Sequence, residues 1–260
     1  MPVIQVNNID CFYQFDDFGK SETLLFSNSL GTDHTMWNKQ VEALGKYFNI
    51  LRYDTRGHGQ SGTGNLKEYT IDMLGSDVIA ILDHLNLDKV NYCGLSMGGQ
   101  LGQWLGINAS NRFHKIVICN TAAKIGTADG WNTRIAHVGE HGLASITGGT
   151  AERWFTPEFN QNHADKVQAI LDVFVKNPVE GYAACCAAVR DADFRDSLNK
   201  LSVPTLIVSG TEDAVTTVED GNFFEQNIPQ TSHVKFKAAH LSNVECADEF
   251  NAALIQFLND

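Results

Sequence analysis

Ser96 stands in Y-C-G-L-S-M-G-G-Q, with Gly94 two places before it and Gly98 two places after. A serine in this setting can sit at a sharp strand-to-helix turn with its Oγ standing above the sheet edge, because side chains at the two flanking positions would collide with the turn. The pattern alone occurs by chance, and the alternative is a serine that merely caps a helix. Its context argues for chemistry: the strand-like run K-V-N-Y-C-G precedes it and a helical pattern over Met97–Ile107 follows. A serine hydroxyl becomes a useful nucleophile when a base takes its proton and an acid fixes the tautomer of that base. At such a turn the expected order along the chain is serine, acid, histidine. His240, in A-A-H-L-S-N just past a strand pattern at His233–Ala238, fits the base, whereas His233 begins that strand at its opposite end. The acid is Asp213, the first aspartate beyond the run V-P-T-L-I-V-S-G, with Glu212 and Asp220 as rivals. A tetrahedral oxyanion needs two backbone N–H donors, one from the residue after the nucleophile and one from the loop after an early strand. Met97 and Leu30, the latter in L-L-F-S-N-S-L-G, occupy those places. Together these residues predict acyl transfer through a covalent acyl-enzyme.

A second glycine motif points elsewhere and fails. G-H-G-Q-S-G, residues 57–62, fits the dinucleotide pattern G-x-G-x-x-G after the run N-I-L-R-Y-D. That fingerprint needs a helix opening at its last glycine and an acid at the end of the next strand. Here the chain continues T-G-N-L-K-E-Y, and Asp83 falls inside a helical pattern, so NAD binding is rejected. Asp54, Arg56 and His58 are read instead as a structural loop near the rim of the active site. No His, Cys or Asp cluster has metal-ligand spacing, and no metal or cofactor is expected.

The elements needed to carry these residues follow from periodicity. The β-rich runs V-I-Q-V-N, L-L-F-S-N, N-I-L-R-Y-D, K-V-N-Y-C-G and K-I-V-I-C-N alternate with helical stretches. Over Ile71–Leu87, residues Leu74, Val78, Ile81, Leu82 and Leu85 share one helical face, the mark of a crossover helix. The alternation predicts an α/β fold with a mostly parallel central sheet and helices on both faces. Gly98, Gly102 and Gly106 fall four apart and leave a bare helical face that can lie close to the sheet, although Gln100 and Gln103 make it unlike a membrane helix pair. From residue 125 to 195 the pattern is helical with polar turns, and it then returns to V-P-T-L-I-V-S-G and H-V-K-F-K-A. The expected organisation is a core over residues 1–124, a helical lid over 125–195 inserted before the last two strands, and the rest of the core over 196–260.

Composition limits the partners. With 260 residues the chain can bury a core unaided, and 19 Lys and Arg against 31 Asp and Glu leave a net charge of −12. This balance argues against nucleic acid and anionic membrane surfaces, and an anionic substrate would need a local cation to hold it. Six cysteines without C-x-x-C spacing, an N-terminal stretch M-P-V-I-Q-V-N-N without a basic flank, and no apolar run near bilayer length predict a cytoplasmic protein with reduced thiols.

Several longer stretches make the sequence similar to one family. S-N-S-L-G-T-D from Ser27, Y-D-T-R-G-H-G from Tyr53, G-L-S-M-G-G from Gly94 and Q-W-L-G from Gln103 resemble the 3-oxoadipate enol-lactonases of the α/β-hydrolase fold. R-W-F-T-P from Arg153, G-Y-A-A-C-C-A-A-V-R-D-A-D from Gly181 and A-H-L-S-N-V-E from Ala239 carry the resemblance through the insert, which is the more specific part. It implies a Ser-His-Asp triad on Ser96, Asp213 and His240, and a small anionic lactone, opened in bacterial breakdown of aromatic acids, as substrate. Two departures stand out. Asn28-Ser29 replaces the His-Gly common in the wider fold, and D-A-V-T-T-V follows the acid where relatives often have prolines, which predicts a less rigid loop around Asp213.

The substrate carboxylate then needs a partner. Arg134, in G-W-N-T-R, is the candidate, since a guanidinium can hold a carboxylate by two parallel hydrogen bonds. The competing account pairs Arg134 with a nearby acid on the surface of the insert. Trp131 and Trp154 are candidates for the apolar wall of the pocket, against the alternative of simple packing. Other readings are a small-ester carboxylesterase, a carbon–carbon bond hydrolase of the same fold, and a non-catalytic lactone receptor. A haloalkane dehalogenase would carry aspartate at position 96.

Overall fold

The computed structural model describes residues 2–260; Met1, the first residue of the N-terminal stretch discussed above, lies outside them. Eight strands form one sheet: β1 (Val3–Val6), β2 (Ile9–Asp16), β3 (Thr23–Ser27), β4 (Asn49–Tyr53), β5 (Val90–Leu95), β6 (Phe113–Cys119), β7 (Thr205–Gly210) and β8 (Thr231–Phe236). Their order across the sheet is β1-β2-β4-β3-β5-β6-β7-β8. All neighbours from β4 to β8 run parallel, and β2 is antiparallel to both β1 and β4.

β2 is absent from the strand pattern expected above. It is joined to β1 by the two-residue turn Asn7-Asn8, with φ of 44° and 67° and Val6 opposite Ile9. Two positive φ angles match the turn that suits the twist of a hairpin, and asparagine tolerates them better than most residues. β8 also starts and ends two residues earlier than expected, so His240 follows a short loop rather than the strand itself.

The first helices are α1 (Asn38–Leu44), α2 (Ile71–His84) and α3 (Met97–Asn108). α2 opens on Thr70, whose side chain accepts from the Met73 N–H, and buries Ile71, Leu74, Val78, Ile81 and Leu82 along one stripe. Between β6 and β7 the chain forms α4 (Ala128–His141), α5 (Thr147–Trp154), α6 (Pro157–Asn162), α7 (Ala164–Lys176) and α8 (Val179–Asp191). α9 (Val218–Asn227), α10 (Ser242–Glu245) and α11 (Ala247–Asn259) complete the chain. Among the described residues no helix is long and apolar enough to cross a membrane.

The register aligns the carboxyl ends of the central strands: Ser27 lies opposite Gly94, Leu95 opposite Cys119, and Cys119 opposite Val208. The connection from β3 leads to β4 on one side and that from β5 leads to β6 on the other, and the crevice at such a switch point is where open α/β sheets bind ligands. The insert is tied over this edge at separate points. The Tyr69 N–H donates to Ala184 O at 3.1 Å, the Leu241 N–H to Trp154 O at 3.0 Å, and Gly57 lies against the backbone of Gly181.

Candidate active site

Ser96 joins β5 to α3 with φ 59° and ψ −113°, a strained region for a residue with a side chain. The strain is held in place by its neighbours. The Ser96 N–H donates to Cys119 O at 2.9 Å, and Ser96 O accepts from the Thr121 hydroxyl at 2.8 Å and the Gln100 N–H at 3.0 Å. A Cβ on Gly94 would collide with the Gly98 carbonyl, and one on Gly98 with the Ser27 carbonyl, so both glycines are required by close backbone approach. Asn28, at the place where the wider fold often has histidine, is built into the same turn. Its carbonyl accepts from the Gly98 N–H at 3.1 Å, its side chain donates to Tyr53 O at 2.8 Å, and it accepts from Trp37 Nε1 at 3.0 Å.

His240 is 2% exposed, and its Nδ1 lies 2.8 Å from Asp213 Oδ2. Both rivals for the acid are placed elsewhere: Glu212 is exposed, and Asp220 accepts from the Thr217 N–H at 2.7 Å at the start of α9. Asp213 Oδ1 accepts from the backbone of Val215 at 2.8 Å and Thr216 at 3.1 Å, and Oδ2 from the Thr216 hydroxyl at 2.9 Å and Asn120 Nδ2 at 3.0 Å. The loop expected to be loose for want of prolines is therefore pinned by the carboxylate itself. Burial works to raise the Asp213 pKa, but the His240 charge and these hydrogen bonds outweigh it and hold the acid down at about 2.

The backbone N–H groups of Leu30 and Met97 find no protein acceptor among the described residues. The loop carrying Leu30 is fixed at the next residue, Gly31, whose N–H donates to His58 Nε2 at 2.9 Å and whose carbonyl accepts from Asn177 Nδ2 at 2.8 Å. His58 must be neutral to accept that proton, and burial lowers its pKa to about 4. Asp54, Arg56 and His58 thus have the structural role expected of them close to the active site, but they are buried rather than at its rim. Asp54 accepts from the His34 N–H at 2.8 Å, Arg56 makes a two-point pair with Asp77 at 2.7 and 2.8 Å, and His58 supports the loop beside Ser96. A polar string looks exposed in sequence, but each of these groups has an internal partner.

Ser96 and His240 open into a cavity of about 40 Å³ whose walls include Ser29, Leu30 and Val215 from the sheet side. The insert contributes Trp131, Arg134, Arg153, Trp154 and Tyr182. Larger depressions of about 440 and 550 Å³ around Phe159 and His163 contain neither Ser96 nor His240. Trp131 donates to Ile125 O at 2.7 Å, and Trp154 packs edge-on against Phe174 with ring centres 5.6 Å apart. Arg134 donates from Nε to the Tyr182 hydroxyl at 2.8 Å and lies over the Trp131 and Tyr182 rings. It has no carboxylate partner among the described residues, which removes the surface ion-pair alternative. Arg153, in the last turn of α5, was not singled out by spacing or motif. Its only sequence signal is its place beside Trp154 in R-W-F-T-P.

The family profile of the alpha/beta hydrolase fold matches residues 22–246. The chain belongs to the alpha/beta hydrolase fold family. Within that family it is 42% identical to 3-oxoadipate enol-lactonase 2 of Acinetobacter baylyi over 247 residues, 94% of this chain and 92% of the relative. With 3-oxoadipate enol-lactonase 1 of the same organism it shares 44% identity, over 87% of this chain and 85% of the relative. Among solved structures, the enol-lactonase from Burkholderia xenovorans LB400 superposes with a TM-score of 0.97 at 38% identity, covering 100% of both chains. The resemblance first carried by seven short segments thus extends over nearly the whole hydrolase chain.

Proposed function

We propose that the protein is a serine hydrolase that opens 3-oxoadipate enol-lactone to 3-oxoadipate through an acyl-enzyme, in the bacterial breakdown of aromatic acids. The observation that carries this reading is one cavity whose walls hold a strained serine, a carboxylate-paired histidine, the Leu30 loop and an arginine without an acidic partner. The identity to two enol-lactonases, extending through the insert, supports the choice of substrate.

Ser96 Oγ attacks the lactone carbonyl as His240 takes its proton, and Asp213 keeps Nδ1 of His240 protonated so that Nε2 is the base. The N–H groups of Leu30 and Met97 hold the tetrahedral oxyanion, a contribution on the order of 100- to 1,000-fold in rate per donor. Collapse breaks the ring C–O bond. The ring oxygen leaves as an enol, takes the proton from His240 and tautomerises to a ketone. Because the enol remains tethered to the acyl chain, nothing departs until water, activated by His240, attacks the ester to Ser96 and releases the carboxylate. Arg134 holds the substrate carboxylate while Trp131 and Trp154 form the apolar wall, and the helical insert acts as the lid. The steps proposed call on no metal or cofactor, and the partner proposed is the small anionic lactone. The cytoplasm is the proposed site of action, in keeping with six cysteines that are all free, including Cys93 and Cys119 with sulfurs 3.8 Å apart.

The test is hydrolysis of the enol-lactone generated in place, with 3-oxoadipate identified by mass. Multiple rapid turnovers without a partner protein are expected. Cleavage of p-nitrophenyl acetate with the lactone left intact would overturn the substrate and point to an esterase or carbon–carbon hydrolase.

A further inference from the structure

The arginines divide into two groups. Arg52 pairs with Asp16, Arg56 with Asp77, Arg112 with Asp83, Arg190 with Glu68 and Asp191, and Arg195 with Asp193. Arg134 and Arg153 alone, among the described residues, have no carboxylate partner, and both line the cavity that holds Ser96 and His240. In a protein with 31 acidic residues this is not for want of acids. Even Glu152, next to Arg153 in sequence, points to solvent and makes no ion pair with it. Both guanidiniums are half-buried, so their mutual repulsion is screened less than it would be at the surface. Burial, and then the nearby Arg134 charge, lowers the pKa of Arg153. Arg134 is oriented by Tyr182, whereas the Arg153 guanidinium makes no hydrogen bond among the described residues and has its donors free.

We propose that Arg153 completes, with Arg134, a two-guanidinium cradle that holds the substrate carboxylate between them and makes the site selective for lactones that carry one. The inference rests on the reading of the protein as a hydrolase of an anionic lactone. An anion between two like charges relieves their repulsion and gains charge-assisted hydrogen bonds from both. A neutral ester gains neither, so the cradle discriminates by charge. Arg153 is a binding residue and takes no part in bond making.

Two readouts test it. The first is the ratio of kcat/KM for the enol-lactone to that for p-nitrophenyl acetate. The second is the inhibition of p-nitrophenyl acetate cleavage by adipate, which needs no lactone turnover. Arg153→Gln is expected to lower the ratio about 10- to 100-fold, mainly through KM, and to raise the adipate inhibition constant by a similar factor. Arg153→Lys keeps the charge but loses the two-point geometry, and should recover part of both. An unchanged ratio and inhibition constant in Arg153→Gln would overturn the cradle. If wild type leaves the lactone uncleaved while adipate still inhibits in an Arg153-dependent way, the proposed substrate fails and the cradle stands.

Discussion

Among the described residues, two places bring a serine, a histidine and an acid together, and only one has the surroundings that the proposed chemistry needs. In the second, His233 Nε2 lies 2.9 Å from Ser209 Oγ and its Nδ1 lies 3.1 Å from Glu225 Oε2, the same connectivity as a catalytic relay. Yet Ser209 is an interior residue of β7, with its backbone in the parallel ladder opposite Lys235. α9 covers it so closely that a Cβ on Gly221 would strike the Ser209 hydroxyl and the His233 ring. No acyl group can reach that oxygen, and a strand interior offers no free N–H pair for an oxyanion. Ser96, by contrast, has φ of 59°, opens to a cavity and lies beside the free N–H groups of Leu30 and Met97. A hydrogen-bonded relay is therefore an ordinary packing solution for buried polar side chains. What sets Ser96 apart is the strained turn, the opening and the two unpaired backbone N–H groups beside it, and on these the proposal of a nucleophile rests.

The sharpest break between the two sites is a pair of alanine variants. Ser96→Ala should lower kcat on the lactone by up to about a millionfold, as expected when a triad acts as a unit. Ser209→Ala should leave it within about threefold, since a packed hydroxyl away from the site contributes only to stability. Comparable losses in both would show that the relay alone marks the active serine.

The acids extend the contrast. Asp213→Asn presents the wrong tautomer of His240 and should lower kcat about 10,000-fold, whereas Glu225→Gln should stay within a few fold. pH separates them again. Asp213 is held at about 2, below the unfolded carboxyl value of ~3.9, so its stabilisation is full above ~3.9 and is lost as pH falls through 2. Urea unfolding of wild type between pH 5 and pH 2 should lose about 2 kcal/mol more than Asp213→Asn, and equal losses would show that Asp213 is not so held. His233 works in another window. Burial favours its neutral form despite Glu225, so its cost to stability begins as pH falls below ~6.5.

The smallest expected effect is on the cover itself. Gly221→Ala should destabilise the fold by about 1–3 kcal/mol through overpacking against Ser209 and His233, with kcat/KM little changed. Thermal unfolding alongside lactone kinetics checks this. A large kinetic loss without destabilisation would link the second constellation to catalysis.

The unequal legibility of the sequence follows the same physics. Ser96 could be read because its strained backbone dictates glycine at two fixed spacings, and Asp213 and His240 because each follows a strand with clear β-rich patterning. β2 was missed: the apolar run Cys11-Phe12-Tyr13 interrupts the alternation of I-D-C-F-Y-Q-F-D in mid-strand, and the useful signal was Asn7-Asn8 just before it. His58 was misplaced because its burial depends on contacts with Gly31 and Cys185, the latter more than a hundred residues away. Arg153 was overlooked for a related reason. Which side of α5 faces Ser96 is decided by how the insert docks, and local periodicity carries no record of that.

The contact between Gly57 and Gly181 bears on how this hydrolase could be re-engineered. A Cβ at either position would run into the backbone of the other, and Asn177, just before α8, reaches across to both Gly31 and Gly59. A cap grafted from another member of the fold therefore cannot be exchanged as a free cassette. It would have to bring a glycine at the matching place in its last helix and an amide before it, or be transplanted together with the 57–59 loop. The modular unit for chimera design is the insert plus that loop, two segments far apart in the gene that must be swapped as one.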